Sequence, residues 1–240
     1  MTAAPHPKLD ELIAVLEQLR APGGCAWDRD QTHASLVQYL VEETYELVEA
    51  IESGGREELI EELGDVLYQV IFHSDIAAHT PGEEFTIEDV AAHMTQKMIG
   101  RHPHVFGDAV AETADDVIAV WDDLKAAEKP HRTSVLDGIP RAMPALALAS
   151  KLLGRATKVG VSVPDAWPAA VPVDATRGRA SARSEEDLGS VLLAIVSEAK
   201  ANGLDAERAL RTALRTLQDD IRTAEDAPAA DDAPEAEQAQ

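Results

Sequence analysis

The sequence predicts an all-α protein: a helical bundle whose site is an acidic αα-hairpin, followed by a decayed second helical repeat. Three observations carry this. Apolar residues recur at three- and four-residue intervals through most of the chain, the spacing of one helix face. No stretch alternates apolar and polar residues as a half-buried strand does. The composition is 45% hydrophobic but only 4% aromatic, so small aliphatic helix formers must fill the core.

The elements follow in order. Leu9, Leu12, Ile13, Leu16 and Leu19 line one face of a first helix over Lys8 to Arg20, and Pro22, Gly23 and Gly24 break it. A second helix is expected from Thr32 or Ser35 to about Glu52, ended by "SGG", and a third from about Glu57 into the late 70s. "TIEDVAAHMTQKMIGR" makes a fourth with Thr86 as N-cap, stopped by "HPHVFGD". "ADDVIAVWDDLKAAEK" makes a fifth, with Trp121 in the core. After Pro144 comes a connecting helix, then a Pro-, Ala- and Arg-bearing segment without periodicity that reads as linker. Two further helices are expected at Leu188–Lys200 and Ala206–Arg222. The resulting division is a catalytic helical domain over 1–140, a connecting helix and linker over 141–184, a degenerate repeat over 185–223, and an acidic, disordered tail over 224–240. The repeat rests on laying "DLGSVLLAI" (Asp187–Ile195) over "ELGDVLYQV" (Glu62–Val70).

Charge narrows the function. A formal charge of −23 argues against coating nucleic acid or an anionic membrane, because phosphate contacts need clustered Lys and Arg. A single cysteine, Cys25, excludes an intramolecular disulfide and fits a reducing compartment. No secretory signal and no membrane-length apolar run is visible. The expectation is a cytoplasmic protein with no nucleic-acid or membrane partner.

The sharpest feature is "VEETYELVEAIESGGREELIEELGDVLYQV". Between Glu42 and Asp65 it sets ten carboxylates against one base, Arg56. If the two helices flanking "SGG" form an antiparallel hairpin, Glu46 and Glu62 both lie roughly 11–12 Å from the turn at ~1.5 Å per residue. They then face each other. Glu43 and Glu46 are one turn apart, as are Glu62 and Asp65, and Glu43 and Glu62 border the apolar stripe. Four convergent carboxylates on such a seam must either rise in pKa or be neutralised by cations. Oxygen-only ligation selects a hard divalent metal, Mg²⁺ or Mn²⁺. Glu49, Glu52, Glu57 and Glu58 read instead as a solvated face.

"EETYE" followed by "ELGD" resembles the EExxE…ExxD signature of the MazG family of nucleoside triphosphate pyrophosphohydrolases. "GGCAWDRDQTH", "RHPHVF" and "DGIPRAMPAL" are similar to three further blocks of that family, and the resemblance spans roughly Leu9 to Gly160. One departure is Ala26, where the family has Pro. The resemblance implies an all-α NTP pyrophosphatase fold, Mg²⁺-dependent hydrolysis of an NTP to NMP and pyrophosphate, and a homodimer. It implies metal ligands at Glu43, Glu46, Glu62 and Asp65, with Glu42 as candidate to orient or deprotonate the attacking water. The signature is shared by relatives acting on dUTP or phosphoribosyl-ATP, so the nucleotide stays open.

Other candidates bear on substrate. Lys97 and Arg101, at i and i+4 on the fourth helix, could meet phosphates or form a solvated basic edge. Lys125 could reach phosphate. Trp27 could stack on a base and Asp28 hydrogen-bond it, although a core Trp is the commoner fate. His102 and His104 suit capping or packing as well as ligand contact. Two rival functions remain. A di-iron bundle needs Glu-x-x-His pairs, which the Glu46 and Glu62 helices do not supply. A non-catalytic interaction module with a vestigial metal site is the alternative from another class.

Overall fold

The computed structural model describes residues 6–113, 116–117, 128, 132–161, 173–174, 179–180 and 184–226. It divides into two compact units, Met1–Glu128 and Lys129–Gln240. The fold is all-α, as expected. In the first unit the helices are α1 (Pro7–Arg20), α2 (Ala26–Asp30), α3 (Val37–Ser53), α4 (Arg56–Ala78), α5 (Ile87–Arg101) and α6 (Pro103–Phe106). In the second they are α7 (Ala145–Lys158), α8 (Glu185–Ala201) and α9 (Ala206–Asp226).

Local chemistry sets the boundaries. Pro7 starts α1, where its missing N–H costs nothing. The break at Pro22–Gly24 is followed at once by the short α2, which apolar periodicity does not reveal. At the α3–α4 turn, a Cβ on Gly54 would stand 2.8 Å from the Ala50 carbonyl oxygen. The tight reversal therefore needs glycine there. At α5 the Asp89 carboxylate accepts both the Thr86 N–H and the Thr86 hydroxyl at 2.8 Å. Those bonds hold the Asp89 pKa below the ordinary value. α6 occupies the "HPHVF" segment expected only to stop α5. Of the fifth expected helix, Asp116, Val117 and Glu128 are helical; Trp121 and Lys125 lie outside the described residues.

α3 and α4 form the expected antiparallel hairpin. α1 lies against α2 and α4, and α5 against α4. The core is Leu16, Leu36, Ile71, Phe72 and Ile76, with Leu12, Ile13, Tyr39, Tyr68 and Ile87 packed around it. Arg20 pins this centre. Its guanidinium pairs with the buried Asp75 carboxylate, donates to the Asp28 carbonyl, and lies 5.2 Å from the Phe72 ring centroid.

In the second unit α7, α8 and α9 pack on one another around Leu153, Val191, Ala194 and Val196. Ser184 caps α8 by accepting the Asp187 N–H at 3.1 Å, and Glu207 on α9 accepts the Ala147 N–H of α7 at 3.3 Å. The segment read as linker contains a two-residue antiparallel ladder, β1 (Val173–Asp174) with β2 (Arg179–Ala180). α9 runs four residues past the expected Arg222, and the tail beyond it lies outside the described residues. Among the described residues, no helix is long and apolar enough to cross a membrane.

Burial assigns the stability. Phe72→Ala should lose about 3–5 kcal/mol, while Val110→Ala, on an 84% exposed side chain, should stay within about 0.5 kcal/mol. Urea unfolding of the two variants beside the wild type measures both; equal losses would mean the core is elsewhere.

Candidate functional site

The hairpin converts sequence spacing into convergence. Glu43 on α3 and Glu62 and Asp65 on α4 each offer a carboxylate oxygen, and these oxygens lie within 4.8 Å of one another. All three side chains are half-buried. Among the described residues this is the one group of carboxylate, imidazole or thiol ligands that close. Glu46 stands beside the trio and outside it, exposed to solvent. Glu42 is exposed one residue before Glu43, about 100° around the helix.

Electrostatics matches the geometry. Burial, then the charge of Asp65, then the Glu46 hydrogen bond push the Glu43 carboxyl above its ordinary pKa. Burial, then the charges of Glu46 and Asp65, push Glu62 up as well. One Glu62 oxygen, Oε2, is buried without a hydrogen-bond partner. An orphaned carboxylate oxygen among like charges costs free energy unless a cation meets it. The donor set is oxygen alone, so the residues fit a hard divalent ion.

The polar seam runs further along α4. Gln69 Oε1 and His73 Nε2 are also buried without partners. Gln69, 6% exposed, and His73 follow Glu62 at i+7 and i+11, nearly the same helix face. Opposite them, His33 Nδ1 meets His73 Nδ1 at 2.7 Å, and His33 Nε2 meets Glu83 Oε2 at 2.8 Å. Burial and the neighbouring His33 lower the His73 pKa. Sequence reasoning did not single out Gln69 or His73. The available signal was their register with Glu62.

The other candidates separate. Trp27 is 49% exposed and packs edge-on against Tyr39, centroids 5.7 Å apart, so it is a surface residue and not the commoner core Trp. Asp28 is buried directly behind it on α2. Arg101 is bound bidentately by Glu128, at 2.9 and 2.6 Å. Lys97 is half-buried on the same helix. His102 caps α5 by contacting the Met98 carbonyl at 2.6 Å, and its ring lies 5.6 Å from that of His104.

A family profile described as the MazG nucleotide pyrophosphohydrolase domain matches residues 31–106, which contain the whole carboxylate hairpin. A Streptomyces cacaoi protein described as an uncharacterized 26.1 kDa protein in the blaB 3′ region is 47% identical over 92% of this chain and 84% of its own. The Thermotoga maritima nucleoside triphosphate pyrophosphohydrolase/pyrophosphatase MazG is 39% identical over 90% of this chain and 85% of its own. The Escherichia coli K12 nucleoside triphosphate pyrophosphohydrolase is 36% identical over 91% and 87%. A crystal structure of a mazG-related protein from Thermotoga maritima covers 48% of this chain and 97% of its own, at 24% identity and a TM-score of 0.41.

The raised carboxyls fix the sign of a pH effect. A group whose folded pKa lies above its unfolded value favours the fold below the unfolded pKa, and that favour is lost as pH rises through the folded one. In chelator, acidification from neutral toward the ordinary carboxylate range should therefore stabilise the wild type relative to a Glu43→Gln, Glu62→Gln double variant. Urea titrations across that range measure the difference; a difference independent of pH would mean the two carboxyls are not repelled.

Proposed function

Because this chain belongs to the MazG nucleoside triphosphate pyrophosphohydrolase family, we propose that it hydrolyses a nucleoside triphosphate to NMP and pyrophosphate with Mg²⁺, or Mn²⁺ in its place. The observation that carries this is the trio Glu43, Glu62 and Asp65 with its orphaned Glu62 oxygen. Glu46, one turn along α3, completes the ligand set. A divalent cation bound there supplies the positive charge that lets a polyphosphate approach so acidic a seam and that stabilises its oxygens during cleavage.

The protein's own groups do the rest. Glu42, outside the trio and exposed to solvent, accepts the proton of the attacking water. Lys97 and Arg101 on α5, and Lys125, take substrate phosphates; for Arg101 this means exchanging the Glu128 carboxylate for a phosphate, which its planar fork fits equally well. Trp27, half-exposed against Tyr39, stacks on the base, and Asp28 beside it hydrogen-bonds the base edge. This catalytic work belongs to residues 1–140. Residues 141–184 connect, and the segment 185–223 is a degenerate copy in which Asp187 and Ser190 stand where Glu62 and Asp65 do.

The active form is a cytoplasmic homodimer. Support comes from the outward face of the hairpin, where Val37, Val41 and Tyr45 on α3 and Ile60, Leu63 and Leu67 on α4 remain large, apolar and about half exposed.

Pyrophosphate release from NTPs should require Mg²⁺ or Mn²⁺, stop in EDTA, and fall to background in Glu62→Ala or Asp65→Ala. Those variants should stay folded and gain less thermal stability from Mg²⁺ than the wild type. Release of orthophosphate and NDP, or full turnover in chelator, would overturn the assignment. Separately, Glu42→Gln should lower kcat by about 10²–10⁴-fold with Mg²⁺-induced stabilisation unchanged; an unchanged kcat would remove Glu42 from the proton-accepting role.

A further inference from the structure

Beyond the carboxylates, α4 carries one half of an imidazole pair that the proposed chemistry does not use. His33, in the turn between α2 and α3, meets His73 of α4 with Nδ1 facing Nδ1 at 2.7 Å. The ring planes agree to 2° and the centroids are 5.0 Å apart, as far as that N···N distance allows. Both Nδ1 atoms therefore lie on the line between the ring centres, and the imidazoles stand edge to edge in one plane. Only one proton fits between them, donated by one ring and accepted by the other. On the far side of His33, Nε2 meets a Glu83 carboxylate oxygen at 2.8 Å. A carboxylate accepts, so His33 carries a proton on Nε2.

Counting protons fixes the rest. Two neutral rings hold two protons on four nitrogens. One is on His33 Nε2, and the other is on His73 Nδ1, pointing at His33. His73 Nε2 is then a bare acceptor, and it is the nitrogen that is buried without a partner. A third proton can go only there, because the other positions are taken. It would make a buried N–H with no acceptor in place. The added charge would strengthen the Glu83 contact, but both of those side chains are more than a third exposed. Such a pair returns less than an orphaned buried donor costs. Neighbouring charge does not reverse the sign: the charge that bears on His73 is that of His33, and Asp75, two residues on, is committed to Arg20.

The two ends of this chain of bonds differ in firmness. His73 follows Ile71 and Phe72 of the core. Glu83 lies in the loop between α4 and α5, where Gly82 has φ 94° and Glu84 has φ 46°. Glu84 is the one non-glycine among the described residues with a positive φ, a left-handed backbone that a side chain disfavours. A loop bent in this way gives way before the core does.

We propose that Glu83, His33 and His73 form a proton-sensitive latch, which ties the α2–α3 turn and the α4–α5 loop to α4 while both rings are neutral and releases them when the rings take up a third proton. The turn it holds joins the helix of Trp27 to that of Glu43, so the latch sets the frame of the site without depending on the chemistry assigned there. The unfolded chain takes the third proton at the ordinary histidine pKa, and the folded chain only at lower pH. The stability contributed by the latch is therefore complete above the ordinary value and is lost as pH falls toward the folded one.

The proton positions are directly measurable. Imidazole nitrogen NMR of the isotope-labelled full-length protein above neutral pH should show neutral His73 protonated on Nδ1 and His33 on Nε2. Each signal is identified by its loss in His73→Asn or His33→Asn. A neutral His73 protonated on Nε2 would overturn the proposal. Stability supplies a second measurement. In His73→Asn the amide can turn either its N–H or its oxygen toward His33 Nδ1, so it tolerates His33 in both charge states. Between about pH 8 and about pH 5.5 the folding equilibrium constant of the wild type should fall at least about threefold further than that of His73→Asn. The carboxylate seam is common to both proteins and cancels. Equal falls, or a larger fall in the variant, would also overturn the latch.

Discussion

Repulsion between Glu43 on α3 and Glu62 and Asp65 on α4 is the constraint around which the first unit is arranged. Three carboxylate oxygens within 4.8 Å push apart the two helices that must stay together to hold them. The hairpin does not supply the compensation at the same place: α3 and α4 carry no lysine, and their one arginine, Arg56, stands at the turn. The compensation lies at the other end of α4. Every buried residue of that helix falls between Gln69 and Ala77, and the apolar centre Leu16, Leu36, Ile71, Phe72 and Ile76 clamps both helices there. One end of α4 makes the fold, and the other uses it.

Arg20 shows how that clamp also shapes the site. By pairing with Asp75, holding the Asp28 carbonyl and lying over Phe72, one guanidinium fixes α1, α2 and α4 together. The short α2 would have little reason to persist without such an anchor, since five residues barely exceed one helical turn. Its position decides that Trp27 faces outward against Tyr39 while Asp28 is buried. Electrostatics thus appears twice in this unit with opposite sign. A satisfied ion pair builds the scaffold, and an unsatisfied acidic group waits at its edge.

Most of the fold was legible because its long helices are amphipathic and punctuated by strong breakers. α3, α4 and α5 begin and end within a few residues of where "SGG", "HTPGEEF" and Thr86 place them. The convergence of Glu43, Glu62 and Asp65 was legible for the same reason: carboxylates on two helices flanking a glycine turn can meet only if the turn is tight, and Gly54 makes it so. What escaped notice had no periodic signature. α2 is hidden behind Pro22, Gly23 and Gly24, and is held by Arg20, a residue with no local reason to point there. Glu46 stands one turn along α3 from Glu43, yet it remains at the solvent edge. Gln69 and His73 looked like ordinary polar positions, and only burial distinguishes them. The partner of Arg101, twenty-seven residues away in Glu128, lies beyond any spacing rule.

The split along α4 also orders its motions. Amide protons between Gln69 and Ala77 sit under a packed core and should exchange with solvent only when the whole unit opens. Those from Arg56 to about Asp65 are guarded by little beyond the helix's own hydrogen bonds and by a partner helix that like charge drives away. This end can fray from the Gly54–Gly55 turn and close again without disturbing the core, a local opening far shallower than global unfolding.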